Sequence, residues 1–229
     1  MHRTPTSLHI GPSAVHWEGG ALVVHIDEVT APWPSRLRGV IRLHPASVLN
    51  RSYALDAQGR HRWGPISPRA HVEVELSQPA LRWSGAGYLD SNDGDVPLEH
   101  DFARWDWSRS HLSGGRCAVL YDVTPRSGSP RSLALTFGPD GEAQDFAPPP
   151  PSALPHSLWR IARGTRSDVG TTAVVSQTLV DAPFYARSLV DSHLLGEPVS
   201  SVHESLSLDR FRTPLVQMML PFRMPRTSR

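Results

Sequence analysis

The segment RWSGAGYLDSNDGD, residues 82–95, places three aspartates and a tyrosine after an aromatic, glycine-containing stretch. Three readings fit such a segment: a calcium loop, a polar surface turn, or an acid at the mouth of an apolar pocket. A calcium loop of the EF-hand type needs oxygen ligands at positions 1, 3 and 5, glycine at position 6 and glutamate at position 12. Counted from Asp90, however, positions 5, 6 and 12 are glycine, aspartate and aspartate. The sequence therefore argues against calcium and leaves the polar turn and the pocket acid open.

Tryptophans are concentrated around this segment, since four of the seven lie between residues 63 and 107. An aromatic wall with few titratable groups suits an apolar ligand, although tryptophans also fill ordinary β cores. In RWDWSRSHL the two tryptophans alternate, so on a strand they share one face while Asp106 and Ser108 share the other. The candidate substrate-binding residues are Trp83, Trp105 and Trp107, with core packing as the alternative.

The sequence lacks the motifs of several familiar chemistries. It contains no H-E-x-x-H or H-x-H metal pattern, no G-x-S-x-G elbow, no phosphate-binding loop and no dinucleotide fingerprint. The single cysteine, Cys117, excludes an internal disulfide and a cysteine-based zinc site, and a buried core position is expected for it. The formal net charge is +1 and the arginines are scattered, which argues against nucleic acid as a partner.

The elements that must position these residues are strands. Alternation of apolar and polar residues predicts strands over 21–29, 36–45, 71–76, 116–123, 131–137 and 201–211. Glycine- and proline-containing turns separate them, and no amphipathic helix longer than two turns stands out. The sequence therefore predicts an all-β sandwich or barrel. Taken alone, the proline run APPPPSALP, residues 147–155, favours a boundary between two β units, with a stiff loop inside one barrel as the alternative.

Several long segments together resemble one family, the carotenoid 1,2-hydratases (hydroxyneurosporene synthases) of phototrophic bacteria. They are GRHRWGPISPRAHVEVEL, LRWSGAGYLDSNDGDVPLEHDFARWDWSRS, DAPFYARSLV and VHESLSLDRFRTPLVQMMLPFRMP. The resemblance implies two lipocalin-like antiparallel β-barrels, an N-terminal domain over 1–75 and a C-terminal barrel over 76–229 that contains the proline run. Family members carry a longer N-terminal segment before the matching part. Three interpretations are open: a natural short form, a true start that lies upstream, or an incomplete N-terminal barrel.

The resemblance also implies a reaction: cofactor-free addition of water across the terminal C1=C2 double bond of an acyclic carotene such as neurosporene or lycopene. The H-x-W motif of the family falls on His61 and Trp63, and its G-Y-x-D motif falls on Tyr88 and Asp90. These four residues are the candidate catalytic residues. No metal is implied.

These residue types suit the implied chemistry. A carboxylic acid can protonate an alkene only if it stays protonated, and burial against apolar walls favours that form, so Asp90 is the candidate acid. Like-charge pressure from Asp93 and Asp95 would act in the same direction. The faces of Trp63 and Tyr88 would stabilise the cation, and His61 would take the proton of the attacking water or orient Asp90. Tyr88 and Asp90 are two residues apart and should share one face of a strand.

Two other functions stay open at this point: a lipocalin-like polyene cyclase, and a carrier that binds a carotenoid without changing it. The expected partners are an acyclic carotenoid and water, with no nucleic acid. The sequence predicts a cytoplasmic location, with peripheral contact to the inner or intracytoplasmic membrane as a further expectation. The segment PLVQMMLPFRMP, residues 214–225, is expected to line the pocket, touch lipid or form a closing strand.

Overall fold

The structure of the chain is a computed structural model that describes residues 1–30 and 33–220. Strands make up most of these residues. The strands are β1 His2–Arg3, β2 Ser7–Ile10, β3 Ser13–Glu18, β4 Ala21–Val29, β5 Arg36–Pro45, β6 Tyr53–Ala54, β7 His61–Gln78, β8 Ala80–Gly94, β9 Phe102–His111, β10 Cys117–Pro125, β11 Arg131–Phe137, β12 Ala143–Asp145, β13 Pro151–Leu154, β14 Arg163–Arg166, β15 Val174–Asp181, β16 Tyr185–Leu194 and β17 Glu197–Ser207. The described α-helices are α1 Leu98–Asp101, α2 Leu208–Phe211 and α3 Pro214–Met219, and a 3-10 turn covers Ser113–Gly115.

The paired strands whose registers are described are all antiparallel, which confirms the predicted all-β class. Strands β4, β5 and β11 have the predicted bounds. The strand predicted over 201–211 ends earlier, because Ser207 accepts a hydrogen bond from the backbone N–H of Arg210 and so caps α2. The segment predicted over 214–225 begins as the helix α3, and its residues 221–225 lie outside the described residues.

The described chain divides into two units, and unit 1 comprises residues 1–51 and 64–91. Strands β1 to β5 of this unit belong to a sheet of order β1-β2-β3-β4-β5-β7-β6, in which β8 also pairs with β7. Strand β6 of that sheet lies in unit 2. Leu43 and Val74 are buried on neighbouring strands, where the register places Ile41 opposite Val74 and Val72 opposite Leu43. Alternating Val, Ile and Leu residues on β4, β5 and β7 thus supply the apolar face of this unit.

Unit 2 comprises residues 52–63 and 92–229. Its main sheet has the order β12-β11-β10-β9-β17-β16-β15, and β13 and β14 form a separate hairpin. Its apolar cluster joins strands β10, β11, β16 and β17, and Phe146 packs against it; the cluster contains Leu112, Ala118, Leu120, Ala134, Leu194 and Val199. Cys117 is fully buried in this unit, as predicted. The proline run over 147–155 also lies within unit 2.

The division into units differs from the boundary predicted at residues 75 and 76. That boundary falls inside β7, which turns into β8 through residues 78–80. Each of these strands is longer than usual, at 18 and 15 residues, and each contributes to both units. The resemblance gave that boundary, and it does not show that one strand contributes to both units.

One face of the unit 2 sheet is polar and nevertheless buried. Asp106, Ser108 and Ser110 of β9 lie opposite Ser205, His203 and Ser201 of β17. Strand β14 covers these residues: the N–H of Gly164 donates to Asp106 at 3.2 Å, and its carbonyl accepts from Nε2 of His203 at 2.7 Å. Strand β14 thereby satisfies Asp106 and Nε2 of His203, and the hydroxyls of Ser110 and Ser201 hydrogen-bond to each other, which makes the burial of these groups tolerable.

No helix within residues 1–30 and 33–220 combines the length and the apolar character needed to cross a membrane.

Candidate functional site

A short turn, which hydrogen bonds to Asp56 hold together, positions His61 at the start of β7. The carboxylate of Asp56 accepts hydrogen bonds from the backbone N–H groups of Gln58 at 2.8 Å, Arg60 at 3.2 Å and His61 at 2.7 Å. Gly59 adopts a φ of 68°, a region that favours glycine, so the turn can close. Burial alone would raise the pKa of Asp56, but the N–H donors of His61, Arg60 and Gln58 together hold that pKa below its ordinary value. A charged aspartate therefore fixes the start of β7.

The imidazole of His61 is bound to a carboxylate that lies 40 residues further along the chain. Nε2 of His61 is 2.7 Å from Oδ2 of Asp101, and Oδ1 of Asp101 accepts from Arg60 at 2.7 Å. His61 is only 1% exposed, and its ring packs against Phe102 with a centroid separation of 4.8 Å. All of these groups belong to unit 2. The arrangement is a buried histidine oriented by an aspartate, which is the geometry of a general base.

The other ring nitrogen of His61 is also buried. Among the described residues Nδ1 has no hydrogen-bond partner. Gly94 lies directly beside it, because a Cβ at that position would be 2.6 Å from Nδ1. Any side chain at position 94 would therefore collide with the nitrogen that Asp101 does not engage.

Trp63 lies on the same strand as His61, two residues further, and is completely buried. Its ring contacts Tyr53, opposite it in the β6–β7 pairing, at 5.6 Å, and Tyr121 at 5.9 Å in an edge-on arrangement. Tyr121 in turn contacts Trp105 edge-on at 5.6 Å. We call Tyr53, Trp63, Trp105 and Tyr121 the aromatic cluster of unit 2. These ring contacts pack Trp63 and Tyr121 into the core of unit 2.

The candidate substrate-binding tryptophans occupy different environments. Trp105 and Trp107 are half-buried on β9, on the face opposite the buried Asp106 and Ser108. Trp105 joins the aromatic cluster of unit 2. Trp83 lies on β8 in unit 1 and is 49% exposed. Their role in substrate binding stays a prediction.

Tyr88 and Asp90 are neighbours in unit 1, and both are half-buried. The phenol of Tyr88 donates a hydrogen bond of 3.0 Å to Oδ2 of Asp90. This contact follows from their i, i+2 spacing on β8, which places both side chains on one face. The phenol therefore orients the carboxyl group of Asp90.

Asp93 and Asp95 pair with an arginine. Both form ion pairs with Arg62, Asp95 at 3.0 Å, and Arg62 also donates to the carbonyl of Gly59 at 2.8 Å. The Arg62 guanidinium holds the pKa of Asp95 below its ordinary value, chiefly by hydrogen bonding. Their charges are compensated by a guanidinium, so the predicted like-charge pressure on Asp90 loses its basis.

Metal ligation has no visible basis in the described ranges, where no group of three or more His, Cys, Asp or Glu side chains is arranged to hold an ion. A shallow groove on unit 2 is lined by Thr172, Val174, Asp191, His193 and Val199, among others, and contains none of the candidate residues.

The resemblance assigned His61 and Trp63 to one short motif, and the structure places both on β7; no role was predicted for Asp101. The predicted catalytic residues fall into two groups: His61 and Trp63 lie in unit 2, and Tyr88 and Asp90 lie in unit 1. Asp101 belongs to no sequence motif. Its link to the site is the hydrogen bond with His61, which lies 40 residues earlier in the chain.

Comparison with known proteins gives a full-length match. Residues 1–229 match the family described as carotenoid hydratase CrtC. An acyclic carotenoid 1,2-hydratase from Thiocapsa roseopersicina is 55% identical over 229 residues, which are 100% of this chain and 56% of that protein. An acyclic carotenoid 1,2-hydratase from Cereibacter sphaeroides is 39% identical over 99% of this chain and 81% of that protein. The chain thus spans little more than half the length of the Thiocapsa relative.

A solved structure supports the lipocalin-like fold. A crystal structure described as an AttH protein, from Nitrosomonas europaea, superposes with a TM-score of 0.61 over 88% of this chain and 69% of that chain. The sequence identity is 15%, so this likeness concerns the fold alone.

Proposed function

Because the chain belongs to the carotenoid hydratase family, we propose that it adds water across the terminal C1=C2 double bond of an acyclic carotene such as neurosporene or lycopene. The observation that carries the proposal is the match over all 229 residues, together with relatives named acyclic carotenoid 1,2-hydratase. The residues of the family motifs support it, since His61 and Trp63 are buried and Tyr88 is bonded to Asp90.

The first step is protonation of the alkene. The carboxyl group of Asp90 gives its proton to C2, the C1=C2 π bond supplies the electron pair, and a tertiary cation forms at C1. Tyr88 orients this carboxyl group through the 3.0 Å hydrogen bond. A positioned acid of this kind contributes about 10²–10⁴-fold to a rate.

The second step is capture of the cation by water. The water oxygen forms a bond to C1, and the proton that it loses goes to His61, whose imidazole is held by Asp101. Proton exchange with solvent then restores Asp90 and His61, so the net change is the addition of one water. The product is a tertiary alcohol, and no redox step is needed.

Aromatic rings stabilise the cation between these two steps. Trp63 is completely buried, and a desolvated ring face attracts a cation by about 2 kcal/mol. Tyr88 is assigned the same role in unit 1. Trp83, Trp105 and Trp107 are assigned to contacts with the apolar polyene chain.

We propose peripheral membrane contact as part of this function, because an acyclic carotene is insoluble in water and resides in lipid. Exposed apolar side chains support it: Leu158 is 95% exposed at a turn, and Leu215 and Met218 of α3 are 64% and 66% exposed. Flotation of the chain with liposomes tests this contact. The chain should float with carotene-containing liposomes, and recovery only in the dense fractions would contradict the membrane part of the proposal.

The function is tested by incubating the chain with lycopene or neurosporene in liposomes and measuring the products by mass spectrometry. We expect a product heavier by one water. Asp90→Asn should lower its formation about 10²–10⁴-fold, since the amide cannot donate an acidic proton. Asp93→Asn is the matched control, because Asp93 pairs with Arg62 on the surface.

The outcomes separate the competing functions. A product of unchanged mass and altered retention would indicate a cyclase, and recovery of unchanged carotene with a spectral shift would indicate a carrier. Full activity of Asp90→Asn would remove the acid assignment.

A further inference from the structure

We propose that Asp101 is a positioning residue that holds His61 in the tautomer whose Nδ1 carries the lone pair, an inference that deepens and rests on the proposed function. Its basis lies entirely within unit 2.

The hydrogen bond between the two side chains determines the tautomer. Nε2 of His61 lies 2.7 Å from Oδ2 of Asp101. A carboxylate only accepts hydrogen bonds, so Nε2 must carry the hydrogen. In the neutral ring the other nitrogen, Nδ1, is then the basic atom.

The surroundings of Nδ1 indicate a functional role for this atom and not a structural one. His61 is 1% exposed and Nδ1 has no hydrogen-bond partner among the described residues, which is uncommon for a buried polar atom. Gly94 leaves the neighbourhood of this atom without a side chain, since a Cβ there would come within 2.6 Å of Nδ1 and 3.2 Å of Cε1. A lone pair that is buried, oriented and without a hydrogen-bond partner among the described residues is suited to accept a proton from a small reacting group such as water.

Asp101 is itself held in place. Its second oxygen accepts from Arg60 at 2.7 Å, and its side chain is 16% exposed. Asp101 ends the helix α1 and precedes Phe102, whose ring packs on His61 at 4.8 Å. The same short segment therefore fixes both the hydrogen bond and the ring plane of His61.

The tautomer is measured directly by long-range ¹H–¹⁵N correlation spectra of the histidine rings, with the signals of His61 identified by their loss in His61→Gln. In the unmodified chain we expect a protonated Nε2 and a bare Nδ1. In Asp101→Asn the amide can donate to Nε2 and favour the opposite tautomer. Asp93→Asn, which removes one nearby surface carboxylate, should leave the His61 signals unchanged.

Turnover supplies the second readout. Asp101→Asn should lower kcat about 10²–10⁴-fold, the range expected for losing a correctly oriented base, while KM stays unchanged. Asp101→Glu retains a carboxylate, so it should keep the native tautomer and recover part of kcat. If Asp101→Asn does not fold, the spectrum of the unmodified chain and the behaviour of Asp101→Glu carry the test.

Several results would overturn the inference: a protonated Nδ1 in the unmodified chain, an unchanged tautomer in Asp101→Asn, or an altered tautomer with undiminished kcat. Absence of water addition by the unmodified chain would instead count against the proposed function. The spectra would still decide how Asp101 holds His61.

Discussion

Substitution of Gly94 by alanine probes the space beside His61 with a single methyl group. The new Cβ would lie 2.6 Å from Nδ1, 3.2 Å from Cε1 and 3.2 Å from the carbonyl oxygen of Val96. Ordinary van der Waals contact begins near 3.4 Å, so the ring of His61 must move by about 0.8 Å. It has little room to do so, because Phe102 packs on it and Asp101 binds Nε2.

This displacement should affect both stability and rate. Overpacking of a buried position costs about 1–3 kcal/mol, and misplacing a reacting group by about 1 Å can cost about 10²-fold in rate. We therefore expect Gly94→Ala to lower the free energy of unfolding by that amount in urea titrations and to lower kcat about 10²-fold. Gly138→Ala is the control, since its Cβ would meet its nearest neighbour at 3.8 Å. Equal stability and turnover for the two variants would refute the described packing of His61.

Three further predictions concern other parts of the molecule. Trp63→Ala should lower the free energy of unfolding by about 3–5 kcal/mol, because Trp63 is 0% exposed between Tyr53 and Tyr121; a loss below about 1 kcal/mol in urea unfolding would contradict its core position. Burial lowers the pKa of His203 below its ordinary value of 6.5, although its hydrogen bond to Gly164 acts in the opposite direction. As the pH falls, the unfolded chain therefore takes up a proton at this histidine before the folded chain does. Stability from this residue should be complete above about pH 6.5 and decline below it, and unfolding curves of His203→Gln should lack that decline. Arg62→Gln should barely change the unfolding midpoint at about 0.5 M salt, because its partners Asp93 and Asp95 are 58% and 59% exposed; a large drop would mean that the pairs matter to the fold.

The local features of the fold could be predicted from the sequence, because they depend on neighbours in the chain. Alternation placed β4, β5 and β11 at their observed bounds, and the i, i+2 spacing placed Tyr88 beside Asp90. The same rule put Trp105 and Trp107 on one face of β9. It could not show that the opposite, polar face is the more deeply buried one. That burial depends on β14, in which Gly164 lies 58 residues after Asp106 and donates its N–H to the Asp106 carboxylate.

The contacts that complete the candidate site were not predictable for the same reason. The pairing of His61 with Asp101 spans 40 residues, and those of Arg62 with Asp93 and Asp95 span 31 and 33. Nothing in the spacing of these residues distinguishes the aspartate that binds a buried imidazole from those that bind a surface guanidinium. The tertiary fold makes that distinction, through the turn at Asp56 and the helix that ends at Asp101.

The most direct test of the central claim, hydration of a carotene through a cation, is turnover of lycopene in water enriched in oxygen-18. We expect a tertiary alcohol that carries one labelled oxygen at C1 and one added hydrogen at C2. In heavy water, that hydrogen should be a deuterium that does not wash out. An unlabelled product of unchanged mass, or carotene recovered intact under conditions in which the chain binds it, would contradict hydration through a cation.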